Sequence, residues 1–196
     1  MGRTIQLGRL FGIPFRLDYS WFLIFILITV MLSYFYFPDS FPLWHPAYYW
    51  IVGIATSILF FASVLAHELA HSLVSIRGGI PVKSITLFIF GGVAHVVKEA
   101  SRASIELRMA AAGPLSSLVL AAIFYGISWL SSDFNEYLAA LTSWLAYING
   151  ILAVFNMIPG FPLDGGRVLR SIVWLATGDY MRATRIATMA GYGVSY

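Results

Sequence analysis

His67, Glu68 and His71 stand inside a segment that otherwise reads as apolar helix. Residues 48–66 carry no charge, and the run stays apolar to Ile76 before Arg77 appears. At 3.6 residues per turn, positions i and i+4 share a face, so both imidazoles can converge on one ion while Glu68 stands aside as a base. That spacing is the HExxH pattern of metal-dependent hydrolases. Alone it is moderately specific, since a solvated soluble helix can carry it by chance. An apolar span changes the weighing: each ionisable side chain at mid-bilayer costs about 2.5 kcal/mol or more, and persists where it pairs, binds metal or lines a polar cavity.

Composition supports the apolar setting. The 196 residues are 59% hydrophobic and 11% charged, with a mean hydropathy of +0.80, whereas a soluble domain carries roughly 25% charged residues. Cysteine is absent, which excludes disulfides, a thiolate nucleophile and cysteine-based zinc sites, so a metal must use His and carboxylate. The net charge of +3 is no nucleic-acid signal, because the basic residues sit at the ends of apolar runs, where membrane orientation accounts for them.

The elements that must carry these residues read as an all-α membrane protein. It is a polytopic bundle of about five to six transmembrane helices, the last incomplete, with a small β-hairpin between helices 2 and 3, all in one domain over 1–196. Residues 1–18, with Arg3, Arg9 and Arg16, form an amphipathic lead-in. Tyr19 to Phe37 is the first span, 19 residues without a charge, enough to cross about 30 Å of hydrocarbon. Tyr48 to Ile76 is the second, opened by Trp44, Tyr48, Tyr49 and Trp50 as an interfacial aromatic belt. His45 faces water.

From Ser84 to Val97 the period changes to two β-rich runs around Gly91-Gly92, the signature of a tight turn. His95 is expected at the surface. Residues 98–108 read as a charged interfacial helix on which Arg102 and Glu106 form a solvated i, i+4 pair. The third span runs from about Met109 to Leu130, with Gly113-Pro114 as a packing kink. The fourth starts at Tyr137, with Asn149 as an interhelical hydrogen bonder. Pro159 to Gly166 then breaks the helix. Irregular backbone at membrane depth is tolerated where it lines a cavity or is buried in protein, which makes Asp164 a candidate site residue. Arg167 and Arg170 share one face of a helix ending near Ala176. The apolar run from Tyr180 to Tyr196 is too short to finish a span, which suggests a C-terminally truncated chain.

All twelve Lys and Arg residues fall at the N-terminus, at 77–108 or at 167–185, so these parts are expected to be cytoplasmic, the N-terminus included. His67 and His71 then lie about 15 and 9 Å along the helix from Arg77, below the cytoplasmic surface. A polar passage for water is expected near Gly79, Gly91, Gly92 and the 159–166 break.

These residues resemble the site-2 protease family of intramembrane zinc metalloproteases, in its prokaryotic branch. The resemblance rests on HELAH at 67–71, on Asn156-Met-Ile-Pro-Gly-Phe-Pro-Leu-Asp164-Gly-Gly166, which is similar to the family's NxxPxxPLDGG signature, on Gly113-Pro114, and on Gly12 to Arg16 followed by Tyr19-Ser-Trp21. It implies that His67, His71 and Asp164 coordinate Zn2+, that Glu68 is the catalytic acid/base, and that Asn156 lies near the active site or substrate. It implies a multi-pass protein of a prokaryotic cell membrane that cuts single-span membrane proteins, such as anti-sigma regulators. It further implies that a C-terminal pair of nucleotide-binding CBS domains can be missing from this chain. Relatives often carry Asn where Ser117 stands, which questions a polar contact from that helix.

A helical substrate hides its peptide groups and must be unwound before attack. The hairpin, through Leu87, Phe88, Gly91 and Gly92, could hold it as an added strand. The rival reading is a transporter or metal-ion carrier, since intramembrane His, Asp and broken helices also build ion pathways.

Overall fold

The computed structural model describes residues 4–195; Arg3 and Tyr196 lie outside them. Two strands, β1 (Thr4–Leu10) and β2 (Ile13–Asp18), precede helix α1 (Ser20–Ser40). Helix α2 (Pro46–Arg77) follows, then β3 (Val82–Phe88) and β4 (Gly91–Val96), and four helices: α3 (Ala103–Ser131), α4 (Glu136–Asn156), α5 (Asp164–Thr177) and α6 (Tyr180–Ser195).

Four helices, α1 to α4, are long and apolar enough to cross a membrane. Their outward side chains are large and apolar, among them Leu23, Ile26, Ile51, Ile58, Val119 and Ile123. Helix α5 has 14 residues, rising about 21 Å, short of the ~30 Å hydrocarbon core, and α6 is described over the 16 residues Tyr180–Ser195. Six helices are described, of which four are long and apolar enough to span, against an expectation of about five to six with the last incomplete.

The β-structure is larger than a single hairpin. The lead-in folds back on itself through Phe11 and Gly12, both at positive φ (50° and 82°), and the four strands form one sheet in the order β1-β2-β3-β4. The join is a parallel pairing of β2 with β3, Phe15 to Ile85 and Leu17 to Leu87. The turn of the second hairpin is Ile89-Phe90, with Phe88 opposite Gly91, so Gly91-Gly92 opens β4 instead of forming the turn. The reason lies in packing: a Cβ on Gly92 would come within 2.5 Å of the Glu68 Cγ. Glycine there lets the strand lie flat against α2.

Helices α1 and α2 cross through small residues. Thr29 Oγ1 donates to Ser57 Oγ at 2.9 Å, and Gly53 faces Ser33, the close approach that membrane helices use in place of a hydrophobic drive. At one end of the bundle Trp44, Tyr49, Phe37 and Leu145 form a buried cluster. Trp44 stacks on Phe41 and packs on Tyr137, each with ring centroids 4.6 Å apart. Half of the expected aromatic belt, Trp44 and Tyr49, is therefore core, while Tyr48 and Trp50 stay exposed. His45 is exposed and caps α2, its Nδ1 accepting from Ala47 N–H.

Candidate metal centre

His67 and His71 project from α2 with their Nε2 atoms 3.2 Å apart. The carboxylate of Asp164, from the start of α5, brings Oδ2 to 3.2 Å from the first and 3.0 Å from the second. Three atoms held tetrahedrally by bonds of about 2.0 Å are roughly 3.3 Å from one another, so the cluster has the spacing of a four-coordinate zinc site. The imidazole protons agree with this. His71 Nδ1–H donates to the Met109 carbonyl at 2.6 Å, which leaves its Nε2 with a lone pair turned into the cluster. Lone pairs and a carboxylate crowded this closely repel one another without a cation between them. His67, His71 and Asp164 therefore fit a divalent metal, and no other such group occurs among the described residues.

Helix α3 orients both rings. Ser117 Oγ is 2.9 Å from His67 Nδ1, and Met109, two turns earlier, holds His71. The polar contact that Ser117 put in question is thus present, made by a hydroxyl. Between the two, Gly113 faces the Nε2 atoms, and a Cβ there would lie 2.5 Å from His67 Nε2 and nearer still to His71 Nε2. Partners of this kind fix ring orientation and raise ligand basicity. Ser117→Ala is expected to weaken zinc binding about tenfold or more in chelator competition, with Ser117→Asn close to the parent; an unchanged affinity in the alanine variant would remove Ser117 from this role.

Asp164 reaches the histidines because the segment before it cannot be helical. Pro159 and Pro162 lack N–H donors, and the chain turns back through bonds from Gly160 N–H to the Ile158 carbonyl and from Leu163 N–H to the Gly160 carbonyl. Gly165 and Gly166 then let the first turn of α5 sit directly on that loop. A Cβ at Gly165 would run into the Met157 and Ile158 carbonyls, and one at Gly166 would lie 2.7 Å from Phe161 N. Asp164 in the first turn also complements the positive end of the α5 dipole.

A cavity of about 500 Å³ opens at the cluster, lined by Glu68, Gly91, Gly92, Asn156, Asp164 and Arg167 besides the histidines. Asn156 is half-buried, and its Nδ2 donates to the Leu152 carbonyl at 2.9 Å. Of the passage residues expected from sequence, Gly91, Gly92 and Pro162 line this cavity and Gly79 does not. Ile28 and Phe60 are shared with a larger apolar trough of about 870 Å³ beside α1.

Leu87 and Phe88 are elsewhere. Leu87 is buried against Leu17 and Val64, and Phe88 is not part of the cavity wall. Nor is β3 an edge, since it is paired with β2 on one side and β4 on the other. The open edge near the cavity is β4. His95 is exposed on that strand.

Three further expectations are overturned. Glu106 is 1% exposed, and its partner is not Arg102, which precedes α3 in an extended conformation, but Arg170 of α5. Residues 98–102 are irregular rather than helical. Asn149 is buried and bonds within its own helix, Nδ2 to the Leu145 carbonyl at 2.8 Å, rather than across to a neighbour. Sequence reasoning also passed over Arg167 as a cavity residue. The available signal was its spacing, one turn after Asp164 on the same face.

The model of peptidase family M50 matches residues 55–136 and 130–195. A Synechocystis protein provisionally named zinc metalloprotease sll0528 is 46% identical over 198 residues, covering 100% of this chain and 51% of its own length. Zinc metalloprotease MJ0392 of Methanocaldococcus jannaschii is 34% identical over 192 residues, covering 97% of this chain and 51% of its own length. The chain spans about half the length of these curated relatives. Among solved structures, the site-2 protease from Methanocaldococcus jannaschii superposes with a TM-score of 0.60 at 30% identity, covering 94% of this chain and 78% of that one.

Proposed function

The chain belongs to peptidase family M50, the site-2 protease family, and from that premise we propose that it is an HExxH-type zinc metalloendopeptidase acting within the membrane. It hydrolyses a peptide bond in or near a transmembrane segment of a single-span membrane protein. The observation that carries this reading is the meeting of two distant signatures: Asp164 comes within 3.0–3.2 Å of both Nε2 atoms of the HExxH helix, and Glu68 faces the same cavity.

His67, His71 and Asp164 would hold zinc, leaving a fourth position open. Zinc bound there supplies Lewis acidity, lowering the pKa of water towards about 7 and polarising the scissile carbonyl. Glu68, not a ligand, accepts a proton from water and returns it to the leaving amine. Gly92 keeps the Glu68 side chain confined beside the strand. Asn156, with its Oδ1 uncommitted within the helix, is suited to bond the substrate backbone. The apolar trough sharing Ile28 and Phe60 accommodates lipid-facing side chains of a substrate segment next to the polar centre. Positive charge at 77–108 and 167–185 orients the N-terminus and the site towards the cytoplasm.

Strand addition moves from β3 to β4. The outer edge of Gly91–Val96 runs along the cavity, with the Ala94 N–H turned to the Glu68 carboxylate, and can pair through its remaining groups with an unwound substrate segment. In an antiparallel pair successive N–H groups point alternately to the partner and away, so one of Val93 and Ala94 faces the open edge. Proline at that position spares the β3–β4 ladder and is expected to lower cleavage at least tenfold with zinc content retained. Leu87→Pro instead breaks a strand paired on both sides and is expected to unfold the sheet. Full activity in both Val93→Pro and Ala94→Pro would end the strand-addition reading.

The overall proposal is tested by purifying the protein in detergent, measuring bound metal, and assaying a panel of single-span substrates before and after chelation. One zinc per chain and chelator-sensitive cleavage are expected. Metal-dependent ion flux without cleavage of any substrate would favour the carrier reading.

A further inference from the structure

Glu106, Met109, Gly113 and Ser117 are spaced by three, four and four residues, so they form one stripe along α3, and all four are buried. Three of them face the imidazoles. The fourth, Glu106, lies past the cluster and is 1% exposed. Its Oε1 accepts from Arg170 Nε at 3.0 Å and from Arg170 Nη2, while Arg167 Nε stands 3.9 Å away.

Arg170 also stands over two aromatic rings. Its guanidinium lies 5.2 Å from the Phe161 ring centroid and 5.0 Å from that of Tyr180. Phe161 belongs to the loop that delivers Asp164, and Tyr180 opens α6, where its hydroxyl donates to Glu99 Oε2 at 2.6 Å. One side chain thus joins α3, the loop, α5 and α6.

The pair is a poor device for stability alone. A buried ion pair must repay the desolvation of both charges, and an apolar pair of similar volume often serves as well. Here Glu106 Oε2 has no hydrogen-bond partner among the described residues, so the repayment is incomplete. What the pair does supply is direction: two donors of one guanidinium converge on a single carboxylate oxygen of α3, which ties α5 to α3 at a defined point that apolar packing leaves looser.

We propose that Glu106 and Arg170 are positioning residues that lock α5 against α3, and so hold the Asp164 carboxylate at the two imidazoles that α3 orients. The His ligands are set from α3 through Met109 and Ser117; the carboxylate ligand is set from the same helix through Glu106. Helix α3 is then the common reference for all three ligands. This inference rests on the metal-centre reading above.

Glu106→Gln leaves Arg170 buried without its counter-charge and can unfold the protein, so the informative variant removes both charges, Glu106→Leu with Arg170→Met. Purified in detergent and stripped of metal, this double variant is expected to melt at the parental temperature. It is also expected to bind zinc 10- to 100-fold more weakly in chelator competition. Loaded with Co2+, it is expected to show weaker visible absorption than the parent, as the four-coordinate ligand set loosens. Arg170→Lys keeps the charge without the two converging guanidinium donors and is expected to bind zinc severalfold more weakly, with the same trend in the Co2+ spectrum. Parental zinc affinity and Co2+ spectrum in Arg170→Lys or in the double variant would overturn the proposal. So would a double variant that fails to fold while Arg170→Lys binds zinc like the parent, since the pair would then be structural. None of these readouts involves cleavage: a chain that binds zinc in this manner but cuts nothing would sink the protease reading and leave the positioning role standing.

Discussion

Glu68→Gln is expected to lower cleavage by about 10²- to 10⁴-fold, the span attributed to general acid–base catalysis, while leaving one zinc bound per chain. The amide has the size and shape of the carboxylate, so it fits the same slot between α2 and Gly92, where a Cβ would already come within 2.5 Å of the Glu68 Cγ. It is not part of the group that could hold the ion, His67, His71 and Asp164. What it loses is the capacity to take a proton from water and pass it to the leaving amine. The measurement is metal content beside single-turnover cleavage of a single-span substrate. A variant that cuts at the parental rate would remove Glu68 from the chemistry. One that also loses its zinc would show that the side chain acts on the cluster rather than on water. The carrier reading makes a different forecast, with flux lost and no cleavage defect to detect.

The legible part of this site was the part encoded locally. The i, i+4 spacing of His67 and His71 fixes a shared helix face whatever surrounds it, and the Pro and Gly residues of 159–166 forbid a helix whatever they contact. Asp164 could therefore be singled out as charge within broken backbone. Glu106 shows where local reading stops. Arg102 lies four residues before it and offered an adequate i, i+4 partner, yet the partner in the fold is Arg170, 64 residues away. Periodicity identifies the face of a helix but not the element that covers it. The same limit applies at the N-terminus. Residues 4–18 join the sheet through a parallel pairing of Arg16 with Thr86, a long-range contact that leaves no local spacing to detect. Gly91-Gly92 departs from the expected turn for a related reason. Glycine serves tight turns and close approaches alike, and only the presence of Glu68 across from Gly92 decides between them.

Gly113 is the sharpest test of whether the cluster holds metal. A Gly inside a helix costs about 1 kcal/mol relative to Ala, so on propensity alone Gly113→Ala should stabilise α3. The new methyl group, however, would stand 2.5 Å from His67 Nε2 and nearer to His71 Nε2, in the space that a bound ion requires. The rings cannot retreat easily, because Ser117 Oγ at 2.9 Å and the Met109 carbonyl at 2.6 Å hold their other nitrogens. Overpacking of this sort costs typically 1–3 kcal/mol, and each 1.4 kcal/mol is a factor of ten in affinity. Zinc affinity is therefore expected to fall about 10- to 100-fold, and cleavage with it, and the metal-free protein is expected to melt somewhat below the metal-free parent, because the methyl group meets the rings themselves and overpacking outweighs the gain of about 1 kcal/mol in helix propensity. Chelator competition and thermal unfolding, each with and without zinc, separate the two effects. If Gly113→Ala bound zinc as tightly as the parent, the ion would have to sit away from the paired Nε2 atoms. The ligand set of His67, His71 and Asp164 would then be wrong.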